Sequence, residues 1–186
     1  MNIYTSYYLV VITRKLFQVI SKLFLLFIVI LDVTLAIIYT LVTLAGFSIM
    51  EATAWFSHKY IMHGFMWRWH KSHHEPREGT FEKNDLFGLV FAVISAAFII
   101  LGTLHGIDWR FFFGIGIFLY GVAYFLVHDV FVHQRLPLLK KTNTTYFQAM
   151  RFVHKVHHKV STKEGAEAFG FLFVSKKYLD KYRQRK

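Results

Sequence analysis

The chain has 186 residues, 55% of them hydrophobic, with 21 Phe, 10 Tyr, two Pro and no Cys, and carries a formal net charge of +11. The missing cysteines exclude disulfides, iron–sulfur clusters and thiolate-ligated haem, and the length suits a single domain, 1–186. With a mean hydropathy of +0.38, the basic charge points to anionic lipid or an acidic soluble partner, not to nucleic acid.

The first apolar stretch, Leu23 to Phe56, is interrupted only by Asp32 and Glu51. As one helix it would be about 50 Å long, against a hydrocarbon core of about 30 Å. It is therefore expected to fold back as two helices, roughly 16–32 and 36–57, turning near Asp32. Basic residues come late, at Arg14, Lys15 and Lys22, and no small-residue cleavage site follows the apolar run. The N-terminus thus reads as an anchor and not as a signal peptide.

Next come the first histidine boxes, HKYIMH at His58 and His63 and HKSHH at His70, His73 and His74. Two further apolar runs follow, 86–104 and 111–127, each free of charge and expected to span a bilayer. His105 sits alone in the short Gly-flanked turn between them. Gly114, Gly116 and Gly121 lack dinucleotide-binding spacing and read as helix-packing positions. The second boxes are HDVFVH at His128 and His133 and HKVHH at His154, His157 and His158, and a tail follows with Lys176, Lys177, Lys181, Arg183, Arg185 and Lys186.

Ten of the eleven histidines thus fall in one pattern used twice, H-x4-H then H-x2-H-H, separated by six residues the first time and twenty the second. Neutral imidazole is the commonest ligand for iron, copper and zinc, and a repeated set of five suits two ions better than one. On a helix the i, i+3 and i+4 residues of H-x2-H-H lie within about 100° of one another, a face able to grip a metal. The H-x4-H residues are about 140° apart on a straight helix. They share a face only after local distortion; otherwise they reach different ions or lie at a fraying end. A single box could be a solvated basic helix, but four in repeated order argue for metal.

Several carboxylates lie close enough to orient a ligand imidazole from behind. Glu51 is seven residues before His58 and within about 20° of it on a helix; Asp129, Glu75 and Asp85 neighbour other boxes. Segments 57–85 and 128–186 hold 18 of the 22 Lys and Arg, so both histidine clusters are expected on the cytoplasmic face. The expected fold is all-α, an integral membrane bundle of about four transmembrane helices under a cytoplasmic histidine-rich helical cap, with both termini cytoplasmic.

The run HKYIMHGFMWRWHKSHHEPREGTFEKNDLFGLVFA from His58 to Ala92 resembles the core of the bacterial-type β-carotene 3-hydroxylases, in the fatty acid hydroxylase and sterol desaturase superfamily. HDVFVHQRLP from His128 and HKVHHKVSTKEGAEAFGFL from His154 to Leu172 are similar to that family's second half, so the resemblance covers about residues 36–175. It implies a non-haem di-iron monooxygenase that uses O2 as co-substrate to hydroxylate carbon 3 of the carotenoid β-ionone ring. The implied series runs from β-carotene through β-cryptoxanthin to zeaxanthin. It also implies the ten boxed histidines as iron ligands, an external electron donor such as ferredoxin and a bacterial inner-membrane location. Trp55, Phe56, Tyr60, Phe65, Trp67 and Trp69 are placed to line an entrance for a carotenoid dissolved in the bilayer, or to form an interfacial belt.

Two departures stand out. Residues 1 to about 35 form a longer apolar N-terminus than in the family, and Ala166-Glu167-Ala168 replaces a Cys-containing triplet, which leaves ring preference and oligomeric contacts open. Other readings of the boxes are a carotenoid ketolase, a fatty acyl or sterol hydroxylase, a non-enzymatic membrane metal-binding protein or a bis-histidine haem carrier. Haem leaves eight histidines unexplained, and a transporter would set its ligands near the bilayer midplane.

Overall fold

The structure, a computed structural model, describes residues 3–76, 79, 81–136, 138–142 and 144–184, with side chains from Thr13 onward. Arg185 and Lys186 of the basic tail lie outside the described residues, as do Arg77, Glu78, Thr80 and Pro137 of the family-like runs. The regular elements among the described residues are all helical, with no strand among them. They form six α-helices, α1 (Ile3–Phe56), α2 (Trp67–His74), α3 (Asp85–Leu104), α4 (Trp109–Tyr124), α5 (Thr145–His157) and α6 (Lys176–Arg183). Two π-helical segments, Ser57–Phe65 and Phe125–Val132, continue α1 and α4.

The chain divides into an N-terminal unit, Met1–Leu41, and a C-terminal unit, Val42–Lys186. Within the first, the expected turn at Asp32 is absent, and α1 runs straight through it. The cause is local. From Ile3 to Ala45 there is neither Gly nor Pro, and a lone Asp in a continuous apolar run lacks the Gly or Pro that would break the helix there. Apolar side chains such as Phe17, Leu23, Phe27 and Ile37 are exposed. The Ser21 and Thr34 hydroxyls bond back to the carbonyls of Gln18 and Ile30, so they ask nothing of the surrounding medium. Among the described residues three helical stretches, where about four were expected, are long and apolar enough to cross a membrane: Thr13–Phe65, Asp85–Leu104 and Trp109–Val132.

In the C-terminal unit, α3 and α4 form an antiparallel pair joined at Leu104–Trp109. Asp108 caps α4 by accepting from the backbone N–H of Arg110 at 2.9 Å. The helices approach closely where side chains are small. A Cβ on Gly116 would stand 2.2 Å from the carbonyl oxygen of Thr43, one on Gly46 2.6 Å from that of Phe113, and one on Gly114 2.8 Å from Ile99. Gly121, expected at a packing position, has nothing within 4 Å because it lies on the outer face. Ser95 donates to the carbonyl of Gly114 at 2.9 Å.

Beneath the histidines, Met50, Ala54, Ile117, Tyr120 and Phe171 form one buried cluster. A second, of Ala149, Met150, Val153, Val174 and Tyr178, holds α5 against α6. Arg151 fastens α5 to the second π-helical segment through the carbonyl of Phe131 at 2.8 Å. The helices thus converge so that all four histidine boxes meet.

Candidate metal centre

Each H-x4-H pair lies in or at the end of a π-helical segment. The amide of Met66 reaches the carbonyl of Ile61 at 3.0 Å and that of His133 reaches His128 at 2.9 Å, both i→i+5 bonds. One extra residue per turn brings i+5 back over i, so His58 and His63 point the same way, and the His128 and His133 rings lie 4.5 Å apart. This is the distortion the spacing required.

H-x2-H-H divides its work. On α2 and α5 the first and third histidines are about 40° apart, whereas the middle one is about 100° from the third. The middle imidazole therefore leaves its own half and joins the other. His58, His63 and His70 converge with His157, and His133, His154 and His158 converge with His73. The fifth member of each set is close by: His74 Nε2 is 3.2 Å from His70 Nε2 and His128 Nε2 is 3.2 Å from His73 Nε2. All ten boxed histidines are thereby assembled into two adjoining groups of five, related by the sequence repeat. His105 is elsewhere, exposed at the end of α3 and bonded to the carbonyl of Leu101.

The donor set could hold a cation. Seven Nδ1 atoms face oxygen acceptors: the carbonyls of Phe169 (His58), Lys163 (His63), Val160 (His74) and Glu167 (His157), the amide oxygen of Asn84 (His70), and the carboxylates of Glu82 (His73) and Asp129 (His128). None of these oxygens donates, so each Nδ1 carries the proton and each Nε2 is left a bare lone pair. Yet the Nε2 atoms face one another, 3.1 Å apart for His58 and His70 and 3.2 Å for His63 and His157. Lone pairs so placed repel unless a cation lies between them, and such spacings suit ligands about 2.1 Å from a shared ion. His158 Nε2 is buried with no hydrogen-bond partner among the described residues.

Burial, aided by neighbouring imidazoles, holds the rings neutral. It pushes His70 down to about 2, His74 to about 4 and His157 and His158 to about 3. His73, His133 and His154 are lowered as well. A neutral imidazole at pH 7 is the form that binds metal.

Of the carboxylates singled out from sequence, Asp129 meets a ring nitrogen, His128 Nδ1 at 2.9 Å. Glu51 meets none. It instead accepts from the backbone amides of Phe171, Leu172 and Phe173 and from the Tyr120 hydroxyl, at 2.8 to 3.3 Å. It thus pins the segment whose Phe171 ring stacks 4.8 Å from His58. Glu75 pairs with Lys71 on the surface and Asp85 with Arg135. Glu82 and Asn84 were missed by sequence reasoning, although both fall in one polar turn soon after a box. The carbonyls of residues 160–169 have no side-chain signature to read. Ala168, between two of those carbonyls, takes a positive φ of 62°, a strain held by the bonds of Glu167 and Phe169 to His157 and His58.

A mostly apolar cavity of about 640 Å³ lies beside the first group, lined by Ser48, Ala52, Trp55, Phe169 and Phe173 and also by the charged Glu51, Glu167 and Lys177. Phe169 separates it from the imidazoles, its ring 5.3 to 5.5 Å from those of His58, His63 and His157. Of the aromatics proposed for an entrance, Trp55 lines this cavity. Trp67 packs on His63, Trp69 on Phe87 and Phe56 on Tyr60, and Phe65 is exposed.

Several known proteins are similar to this chain. The chain is 44% identical over 142 residues to a protein of Pseudescherichia vulneris named beta-carotene hydroxylase, covering 75% of the chain and 79% of that protein. It is 46% identical over 127 residues to the one from Pantoea ananas, covering 67% and 71%. It is 40% identical over 134 residues to beta-carotene hydroxylase 1, chloroplastic, of Capsicum annuum, covering 70% of the chain and 42% of the longer plant protein. No solved structure matches. Residues 43–181, which hold every boxed histidine, match the Fatty acid hydroxylase family, and the chain belongs to that family.

Proposed function

We propose that this chain is a membrane-bound β-carotene 3-hydroxylase, a non-haem di-iron monooxygenase that converts β-carotene through β-cryptoxanthin to zeaxanthin. The observation that carries the reading is the pair of five-imidazole groups in a chain 44% identical to a bacterial beta-carotene hydroxylase. The groups built on His58, His63, His70, His74 and His157 and on His73, His128, His133, His154 and His158 would each hold one iron. When bound, such a pair supplies the power to activate O2 and oxidise an unactivated C–H bond.

The remaining work belongs to the protein. Seven acceptors fix the imidazole tautomers, and burial keeps bulk water from the centre. The cavity at Trp55 and Phe173, within the usual size range of ligand sites, receives the β-ionone ring, and Phe169 sets how closely carbon 3 approaches. Regioselectivity is a matter of shape, because an apolar ring offers no charge to recognise. The balance is one C–H and one O2 consumed, with two electrons and two protons, and one C–OH and one water formed. The electrons come from an external donor such as ferredoxin, since the chain has no cysteine for a cluster of its own. We place the protein in the bacterial inner membrane with the histidines on the basic, cytoplasmic face.

Expression in β-carotene-accumulating cells under labelled O2 tests this. Zeaxanthin and β-cryptoxanthin bearing the label in the new hydroxyl are expected. Unchanged β-carotene, a carbon-4 ketone or label arriving from water would overturn the reading.

A further inference from the structure

The repeat allows the two groups to be compared position by position, and at two matched places a neutral oxygen behind one imidazole is replaced by a carboxylate behind its counterpart, while the neutral acceptors of His63, His70 and His74 have no counterpart among the described contacts of His133, His154 and His158. His58 and His128 open the two H-x4-H boxes, and His58 Nδ1 donates to a backbone carbonyl whereas His128 Nδ1 donates to the Asp129 carboxylate. His157 and His73 are the two histidines that cross between halves. His157 Nδ1 donates to the Glu167 carbonyl, whereas His73 Nδ1 donates to the Glu82 carboxylate at 3.1 Å. In both comparisons the charged acceptor serves the group that contains His73, His133, His154 and His158. The turn at residues 82–84 makes the same distinction within one element, with neutral Asn84 for His70 and charged Glu82 for His73.

One arginine organises the charge. Arg135 Nη2 lies 3.2 Å from Glu82 Oε1 and 2.8 Å from Asp85 Oδ1, and its Nε lies 3.7 Å from Asp129 Oδ1. Its backbone amide also donates to the Asp129 carbonyl at 2.9 Å. The Glu82 and Arg135 side chains are only 9% and 13% exposed, so solvent screens this network weakly. Three carboxylates against one guanidinium leave net negative charge behind the second group. No carboxylate among the described contacts bonds a ring nitrogen of the first group.

A carboxylate behind an imidazole raises the basicity of the ligand nitrogen and fixes the ring. Resting on the two-metal reading of the site, we propose that the two positions are unequal by construction. The group of His73, His128, His133, His154 and His158 takes the first ion and holds it more tightly, because Glu82 and Asp129, locked by Arg135, back its imidazoles with charge. The group of His58, His63, His70, His74 and His157, backed by neutral oxygens and bordering the Phe169 cavity, is the weaker and more readily emptied position.

The test is a titration of the full chain, stripped of metal in detergent, with Co2+, followed by visible absorption and chelator competition. Two ions per chain are expected, in two steps at least about tenfold apart in Kd. His133→Ala should remove the tight step and His63→Ala the weak one. Glu82→Gln and Asp129→Asn should each weaken the tight step by roughly 10- to 100-fold and leave the weak one alone. Equal affinities in the wild-type chain overturn the proposal without any variant having to fold, and so does a tight step that vanishes in His63→Ala but survives in His133→Ala. Equal binding in a chain that still makes zeaxanthin sinks the inequality and spares the hydroxylase reading. Unequal binding in a chain that leaves β-carotene untouched does the reverse.

Discussion

His157 is the most constrained residue of the site. It is wholly buried, bonded to the Glu167 carbonyl, and carried from the second half of the chain into the first half's group. His157→Ala is expected to bring metal content from two ions per chain to one and to lower hydroxylation by about a hundredfold or more, since even loss of an outer contact costs about 10- to 100-fold. His105→Ala, at an exposed helix end, should leave metal content unchanged and move stability by no more than about 0.5 kcal/mol. Elemental analysis and product assay of the two variants side by side check both; equal loss would contradict the assignment. The convergence of the ten boxed histidines was legible because a repeated spacing of one side-chain type announces itself. The crossing of His73 and His157 departs from the single gripping face expected of that spacing, because the middle imidazole lies about 100° from the third and joins the other group. The backbone carbonyls at Val160, Lys163, Glu167 and Phe169 were not legible, because any residue type offers one.

At the scale of elements, charge-free length was enough to find α3 and α4, whereas α1 was misjudged. Length in excess of a bilayer suggested a hairpin, but a tight reversal is favoured by Gly or Pro, and α1 has neither from Ile3 to Ala45. The π-helical segments were visible only as a mismatch between five-residue spacing and an α-helical face. Glycine spacing left packing and exposed positions indistinguishable. Gly116→Ala should cost about 1–3 kcal/mol as an overpacked contact, because its Cβ would meet the Thr43 carbonyl at 2.2 Å. It should also shift His128, twelve residues along the same helical run. Gly121→Ala, with open space around it, should be neutral or stabilising by up to about 1 kcal/mol. Thermal melting in detergent separates the two; similar melting points would mean that the α1–α4 approach does not bear on stability.

For the whole molecule, three helical stretches among the described residues are long and apolar enough to cross a membrane, and a chain that crosses three times is expected to leave its N-terminal segment and its histidine boxes on opposite sides. The histidine-bearing segments hold 18 of 22 basic residues, and Arg14, Lys15, Lys22 and Arg110 make up the other four. A chain without cysteine allows direct measurement. With Ser6→Cys and Ser161→Cys as single labels, a membrane-impermeant thiol reagent applied to intact cells should mark the first and not the second. Labelling of neither would restore an even number of crossings.

The exchange of His73 and His157 between the halves has a further consequence. An ion bound by His63 and His157 would close a loop of 94 residues, and its neighbour would close an overlapping loop in the other sense through His73. Closing a loop of about 100 residues removes roughly 4–5 kcal/mol of chain entropy from an unfolded state in the simplest polymer treatment. In a protein with no disulfides the ions would then act as its cross-links. They would be interlocked, so neither half could complete a centre without the other, and loading the metal would be the last step of folding as well as the first requirement of catalysis.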